Sequence, residues 1–338
     1  MKTNLILAGA LSVSLAAPAR AQEDAASVFA KKTITVYIGN TAGGTYDLYG
    51  RLLARFLGRH VPGNPTVVAE NMPGAGTIRA ANFIYGAAPR DGTALGIVTE
   101  TVAIEQALQN SAVQYDARKY TWIGRVAASN AIHMQWHASK VQSLEDAKKF
   151  ESPLAGTGAG NVAEVIPTLL NALIGTKFKI VRGYPAANEA MLAMERGEVE
   201  GSSANWLTVK VAKRDWLRDK KVRVILQDLP ARGPDLQDAP ALGELGDTPE
   251  AKQIFGLYAS MGAIGRAFFA APGVPPRNAK ILRDAFAAMT KDPEFIAEAA
   301  RLGGELELAS GEDLQAAVEK TLDVPPSVLE RARGIFAR

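Results

Sequence analysis

Two stretches of this 338-residue chain concentrate glycine where a short β-branched or apolar run gives way to a helical pattern. The first is Gly39-Asn40-Thr41-Ala42-Gly43-Gly44-Thr45-Tyr46-Asp47 and the second is Gly156-Thr157-Gly158-Ala159-Gly160-Asn161. Glycine turns tightly and lets a bound molecule approach main-chain N–H groups. The helix start that follows adds unpaired N–H groups and the positive end of its dipole, which together form an anion site without any cationic side chain. A carboxylate seated there gains about 0.3 to 2 kcal/mol from the dipole, besides charge-assisted hydrogen bonds. Neither loop holds Lys or Arg, so amides and hydroxyls must do the binding, which suits reversible capture. The candidate contacts are Thr41, Ala42, Gly43, Gly44 and Thr45 on the first loop, and Thr157, Gly158, Ala159, Gly160 and Asn161 on the second. A pair of ordinary βα turns has the same composition. A nucleotide fingerprint does not: Asn161 breaks G-x-G-x-x-G, and the chain has no G-x-x-x-x-G-K-[ST].

Other residues could join these loops. Asp47 falls in the first helical turn, where an acid favours the dipole, and four residues before Arg51, the favourable order for an ion pair. It could instead receive a ligand amino group or hold the loop in shape. Tyr184, in Gly183-Tyr184-Pro185, and Ser203, clustered with Ser202 and Asn205 after an expected strand Glu198 to Gly201, could donate hydrogen bonds in a cleft or serve as turn residues. Trp206 suits a core or a cleft wall.

Catalytic patterns are thin. His60, His133 and His137 are the only histidines, and no acid lies between His133 and His137. No metal, cofactor or catalytic residue is expected. No G-x-S-x-G surrounds the serines. The chain has no Cys, hence no disulfide, no Cys-ligated metal and no lipid-modified N-terminal cysteine.

The elements that must position the loops follow from patterning. Thr33 to Ile38 reads as a strand, Tyr46 to Leu57 as a helix with Leu48, Leu52 and Phe56 on one face, and Thr66 to Ala69 as a strand. Ile78 to Tyr85 reads as a helix and Ala94 to Val98 as a strand. This β-α-β-α-β series implies a parallel sheet covered by helices. The pattern then restarts, with strands at Ile132 to Trp136, Lys179 to Val181 and Val222 to Leu226. Helices are expected at Ala163 to Ile174, with Pro167 clouding its start, and at Ala186 to Arg196. Leu229 to Pro249 reads as a long irregular connection. Beyond it come a strand at Phe268 to Ala271 and helices at Pro276 to Met289, Pro293 to Leu302, Gly311 to Leu322 and Pro326 to Ile335.

The N-terminus has the layout of a secretory leader. Lys2 precedes an apolar run from Leu5 to Ala17, and Ala19-Arg20-Ala21 forms a small-x-small cleavage site before Gln22. Residues 1–21 are therefore expected to be a signal peptide, with the mature protein in the periplasm; an N-terminal membrane anchor is the competing reading. What remains suffices for two domains. The formal charge of +3 offers no support for a nucleic-acid or membrane-surface role.

The same residues carry a family resemblance. Ala42-Gly43-Gly44-Thr45-Tyr46-Asp47 with Arg51 resembles the P-G-G-x-x-D loop of the tripartite tricarboxylate transporter substrate-binding proteins, also called the Bug or TctC-like family. Val68-Ala69-Glu70-Asn71-Met72-Pro73-Gly74-Ala75-Gly76 resembles their V-x-E-N-x-P-G-A-G block, and Ala88-Pro89-Arg90-Asp91-Gly92-Thr93-Ala94-Leu95 their A-x-P-D-G-x-T-L block. Further matches are Tyr115-Asp116, Gly197-Glu198-Val199-Glu200 and Ala271-Pro272-Gly273-Val274-Pro275. Ala42 replaces the usual Pro, Thr77-Ile78-Arg79 departs from the common G-N-I-G, and the 229–265 region is longer than is typical.

The resemblance implies an α/β, two-lobed periplasmic-binding-protein (Venus flytrap) fold with a ligand cleft between the lobes. Residues 22–126 and 241–338 would form lobe one and 127–240 lobe two. It implies a monomer that captures a small carboxylate-bearing solute for an importer with two integral-membrane subunits. Thr41 to Asp47 would lie on one lobe and Thr157 to Asn161 on the other, with Gly183 to Pro185 nearby. A ligand-dependent sensor that signals to a kinase, or an exported enzyme, are alternatives on the same clamshell.

Overall fold

The computed structural model describes residues 28–158, 161–185 and 187–336. The expected leader, and with it Ala159 and Gly160 of the second loop, lie outside the described residues.

The chain forms two mixed sheets. Along the sequence the strands are β1 (Thr33–Ile38), β2 (Thr66–Asn71), β3 (Ala94–Ile97), β4 (Thr121–Arg125), β5 (Ala131–Trp136), β6 (Ser152–Gly156), β7 (Phe178–Arg182), β8 (Gly201–Asn205), β9 (Val222–Gln227), β10 (Ala267–Ala270) and β11 (Ala309–Ser310). The first sheet has the order β11-β4-β10-β3-β1-β2 and the second β7-β6-β8-β5-β9. In β1 Thr33, Thr35 and Tyr37 alternate with Ile34, Val36 and Ile38, which face the core, and β2 and β3 pair with the strand in parallel. β10 returns antiparallel between β3 and β4. In the second sheet β6 runs parallel to β7 and β8, while β5 runs antiparallel to β8 and β9.

Helices cover both faces of each sheet, as parallel strands buried on two sides require. The Thr45–Leu57, Pro276–Met289 and Pro293–Arg301 helices pack against one face of the first sheet through Leu53, Phe56, Leu282 and Phe295. The Ile78–Gly86 and Gly311–Leu322 helices cover the other through Ile84, Leu314 and Val318. The Val162–Ile174 helix lies on one face of the second sheet and the Ala187–Glu195 helix on the other. The Pro249–Ala259 and Pro326–Phe336 helices join the core of the Val162–Ile174 side, with Ile254, Phe255, Val328 and Ala332 buried beside Ile166 and Leu169.

Several elements differ from the sequence reading. Ser202, Ser203 and Asn205 do not follow a strand over 198–201; they are the strand β8, with Gly201 at its start. Small polar residues hide it from a propensity reading, and tight packing explains the glycine: a Cβ on Gly201 would lie 2.6 Å from Leu154 Cδ2. β4 was not expected, nor was the Pro249–Ala259 helix, and the run expected before the second glycine loop, given no bounds in the sequence, is β6. Pro153 and Gly156 mask β6. Pro167 sits inside its helix, which starts at Val162 behind the cap Asn161; beside the proline, the Thr168 hydroxyl donates to the Glu164 carbonyl (2.7 Å). The irregular connection after β9 is organised by Gln227, which is fully buried. It donates to the carbonyls of Leu236 and Ala239 and accepts from the Gly233 N–H.

Candidate functional site

The two glycine loops prove to be built the same way. In the first, Gly43 sits at φ +91°, and its N–H donates to Asp47 Oδ2 at 3.0 Å. Asp47 is in the first turn of the Thr45–Leu57 helix and buried. Its carboxylate also accepts from Arg51 Nε (3.0 Å) and from Asn71 Nδ2 (2.9 Å), and Asn71 in turn donates to the Asn40 carbonyl. In the second loop, Gly158 sits at φ +124°, and its N–H donates to Glu164 Oε1 at 2.9 Å. Glu164 is in the first turn of the Val162–Ile174 helix, buried, and its other oxygen accepts from Arg182 Nε at 2.8 Å. Each loop is thus pinned from beneath by one buried carboxylate paired with an arginine. The left-handed glycine is required at each pin, because an L side chain resists that backbone angle.

This arrangement answers what Asp47 does. Burial opposes its ionisation. The bond from Arg51, the Gly43 N–H and the Asn71 amide outweigh that, and its pKa falls below the ordinary aspartate value. Its oxygens are occupied in shaping the loop. Glu164 was not singled out in the sequence; the signal was an acid in the first turn after the second glycine cluster, the position Asp47 holds after the first. Gly156 belongs to the same device, since a Cβ there would lie 2.7 Å from Ile180 Cγ2 and 2.9 Å from Glu164 Oε1.

Above the pins the loops are open. Thr41, Ala42, Gly43, Gly44, Gly158 and Asn161 are exposed, and Thr45 and Thr157 half-buried. Gly44 is the N-cap of its helix and supplies no side-chain cap, so the first-turn N–H groups have none to satisfy them. The helix after the second loop is capped by Asn161, whose side chain accepts from the Ala163 N–H at 3.0 Å. Tyr184 is half-buried against the cluster under the Ala187–Glu195 helix, beside Gly183 at φ +111°.

Ser203 goes elsewhere. It is buried opposite His133 in the β5–β8 pair, and its hydroxyl lies 2.7 Å from His133 Nδ1. His133 Nε2 lies 2.9 Å from Asp228 Oδ1, and both are buried. The order of groups is that of a hydrolase triad, but the hydroxyl faces Nδ1 inside a sheet rather than a substrate. The line satisfies polar groups in the core. His137 is outside this line, and among the described residues no cluster of three or more His, Asp or Glu could hold a metal ion. No described helix is long and apolar enough to cross a membrane.

A cavity of about 400 Å³ opens between elements of the two sheets. Thr45 lines it, at the end of the first loop; Thr41 to Gly44, Thr157, Gly158, Asn161, Tyr184 and Ser203 do not. Its walls combine Tyr49, Asn205, Trp206, Leu207 and Leu229 with the chain passing between the sheets at 127–130 and 262–266. At its rim Lys210 Nζ contacts Asp235 (2.8 Å) and Glu305 (2.6 Å), linking the Trp206–Ala212 helix to the segment before β11. Against burial, these two acids hold the Lys210 ammonium above its ordinary pKa.

No model of a known protein family matches the chain. A curated relative, the UPF0065 protein in the gbd 5' region of Cupriavidus necator, is 40% identical over 98 residues, which cover 29% of this chain. That match spans 28% of the relative's length. Among solved structures, a TctC solute-binding protein from Polaromonas superposes with a TM-score of 0.65 at 17% identity, covering 90% of this chain and 98% of that one. MatC from Rhodopseudomonas palustris, with bound malate, gives a TM-score of 0.64 at 20% identity, covering 90% and 98%. The chain therefore has the α/β, two-lobed fold of the TctC and Bug periplasmic binding proteins.

Proposed function

We propose that this protein is a periplasmic solute-binding protein that captures a small carboxylate-containing molecule and delivers it to a tripartite tricarboxylate-type importer with two integral-membrane subunits. The observation that carries this reading is the duplicated loop. The same pin of left-handed glycine, first-turn carboxylate and arginine occurs once after β1 in the first sheet and once after β6 in the second. A loop held so firmly from below, yet open above, presents main-chain N–H groups without rearrangement, which suits anion capture. The shared fold supports the reading, as does the malate bound by MatC.

On this reading residues 1–21 are a cleaved leader, 22–126 and 241–338 form lobe one, and 127–240 form lobe two. The change of sheet between β4 and β5 supports the first boundary. At the second, the Pro249–Ala259 and Pro326–Phe336 helices pack with the second sheet's core, although the division assigns them to lobe one. Thr41 to Thr45 and Thr157 to Asn161 contact the ligand, Asp47 and Glu164 hold the loops, and the protein acts without catalysis, as a monomer.

A thermal-shift screen of aliphatic, hydroxylated, amino and aromatic carboxylic acids tests this. A ligand at 100 times its Kd adds about 2.7 kcal/mol to stability. A melting point that rises only with neutral sugars or with cations overturns the reading.

A further inference from the structure

Arg266 stands out among the charged groups of the inter-sheet cavity. It is 5% exposed, lines the cavity, and lies just before β10 on the chain that crosses between the sheets. The other ionic groups there are committed: Lys210 to Asp235 and Glu305, and Arg125 to Glu307 (3.1 Å). Arg266 has no carboxylate partner among the described residues. Its guanidinium donates to the Ala128 carbonyl at a long 3.4 Å and to the Thr45 hydroxyl at 3.2 Å, and it lies over the Tyr46 ring at 4.9 Å from the centroid. A guanidinium carries five N–H donors. A buried cation without a counter-ion is costly unless something arrives to pair with it. The residue that Arg266 touches, Thr45, opens the helix whose N-terminus lacks a side-chain cap.

Apart from these ion pairs, Tyr49, Trp206, Leu207, Leu229, Pro230 and Leu236 line the cavity with apolar surface. Asn130, also on the wall, has a buried side-chain oxygen without a hydrogen-bond partner among the described residues. The volume of about 400 Å³ falls in the range of sites that enclose a whole organic ligand, roughly 300 to 1,000 Å³. A four-carbon diacid would leave much of that space to water and would set a second negative charge against apolar surface or beside Asp235, Glu305 and Glu307, which already occupy Lys210 and Arg125.

We infer that the solute's carboxylate is anchored by Arg266 together with Thr45, and that the cavity behind them takes an aryl or comparably bulky apolar body carrying at most one hydrogen-bonding group, which Asn130 meets. This rests on the carrier reading above and names its substrate class; it keeps the ligand at the end of the first loop, at Thr45, and places its body in the cavity instead of against Thr157 to Asn161. Arginine suits the task because its planar fork matches a carboxylate through two parallel hydrogen bonds. It was invisible as a site residue in the sequence, where the glycine loops contain no cation.

Isothermal titration tests the inference with arylalkyl acids from benzoate to 4-phenylbutyrate, their neutral primary amides, and succinate. The expected result is that the best arylalkyl acid binds at least about 10-fold more tightly than its amide and than succinate. Arg266→Gln then lowers affinity for that acid at least about 10-fold, with a smaller effect on the amide, and Arg266→Lys recovers part of the loss. Leu207→Trp, which narrows the cavity from the Trp206–Ala212 helix, lowers the ratio of arylalkyl-acid to succinate affinity at least about 5-fold; if Arg266→Gln fails to fold, this variant decides alone. Folded Arg266→Gln and Leu207→Trp proteins that bind the acid like the parent, while Gly44→Val does not, overturn this inference and leave the carrier reading standing. Succinate binding more tightly than every arylalkyl acid overturns it too. A parent protein that binds none of these acids overturns this inference, and the carrier reading is then decided by the wider acid screen.

Discussion

Gly44→Val isolates the first loop from the rest of the molecule. Gly44 has φ −90° and ψ 175°, an extended conformation that valine adopts without strain. A Cβ at this position meets no atom of the described residues within 4 Å, so none of them is displaced. Valine is a poorer N-cap than glycine, a cost of about 0.5 to 1 kcal/mol. The less flexible unfolded chain offsets about 0.4 to 1 kcal/mol of that. The melting point should therefore stay within about 2 °C of the parent. Binding should not survive so well, because the isopropyl group stands over the first-turn N–H groups that a carboxylate must reach. We expect at least about a 10-fold loss of affinity, or about 1.4 kcal/mol, measured by titration with whichever acid gives the largest thermal shift. Gly43→Ala is the control for distortion. Its φ of +91° costs an L residue about 1 to 2 kcal/mol, so there the melting point itself should drop. A Gly44→Val protein with parental melting point and parental affinity would take this loop out of the binding site and refute the reasoning.

Asp47→Asn should lower stability by about 1 to 2 kcal/mol at neutral pH, since the buried acceptor of Gly43, Arg51 and Asn71 loses its charge. The folded pKa of Asp47 is depressed, so its contribution is present above the ordinary value of 3.8 and lost as pH falls through the lower folded value. Urea titrations should show the variant's deficit shrinking as pH falls below 3.8, and a constant deficit down to acid would contradict the ion-pair assignment. Glu164→Gln should behave as its counterpart, weakening ligand binding and lowering the melting point; if it leaves both unchanged, the duplicated pin is not what shapes the second loop. Ser203→Ala should cost about 1 to 3 kcal/mol by stranding buried His133 Nδ1, with ligand affinity unaltered, and a selective loss of affinity would return Ser203 to the site. Mass spectrometry of periplasmic extract should find a chain beginning at Gln22, whereas intact Met1 in the membrane fraction would count against both the leader and the location.

What the sequence determined by itself is what depends on neighbours a few residues away. Helix starts at Pro276, Pro293, Gly311 and Pro326 coincide with the structure because capping and proline preference act within one turn. β1, with its alternating burial, and the glycine loops after β1 and β6 were legible for the same reason: period and backbone freedom are local properties. For Asp47 the sequence left ligand contact, pairing with Arg51 and loop shaping open; the pairing was legible because Arg51 lies four residues on, and the bond from Gly43 came only with the structure. β8 was not, because its strand identity comes from pairing with β5, some 70 residues earlier, rather than from Gly, Ser and Asn. Ser203 was misplaced for that reason, its hydroxyl being claimed by His133 across the ladder. Arg266 shows the limit most plainly. In sequence it is one arginine among many. Its burial, its contact with Thr45 221 positions away and its lack of an acidic partner exist only once two sheets have been folded and the chain between them closed. A buried charge acquires meaning from what surrounds it in three dimensions, and the cavity beside it is bounded by segments that no local pattern brings together.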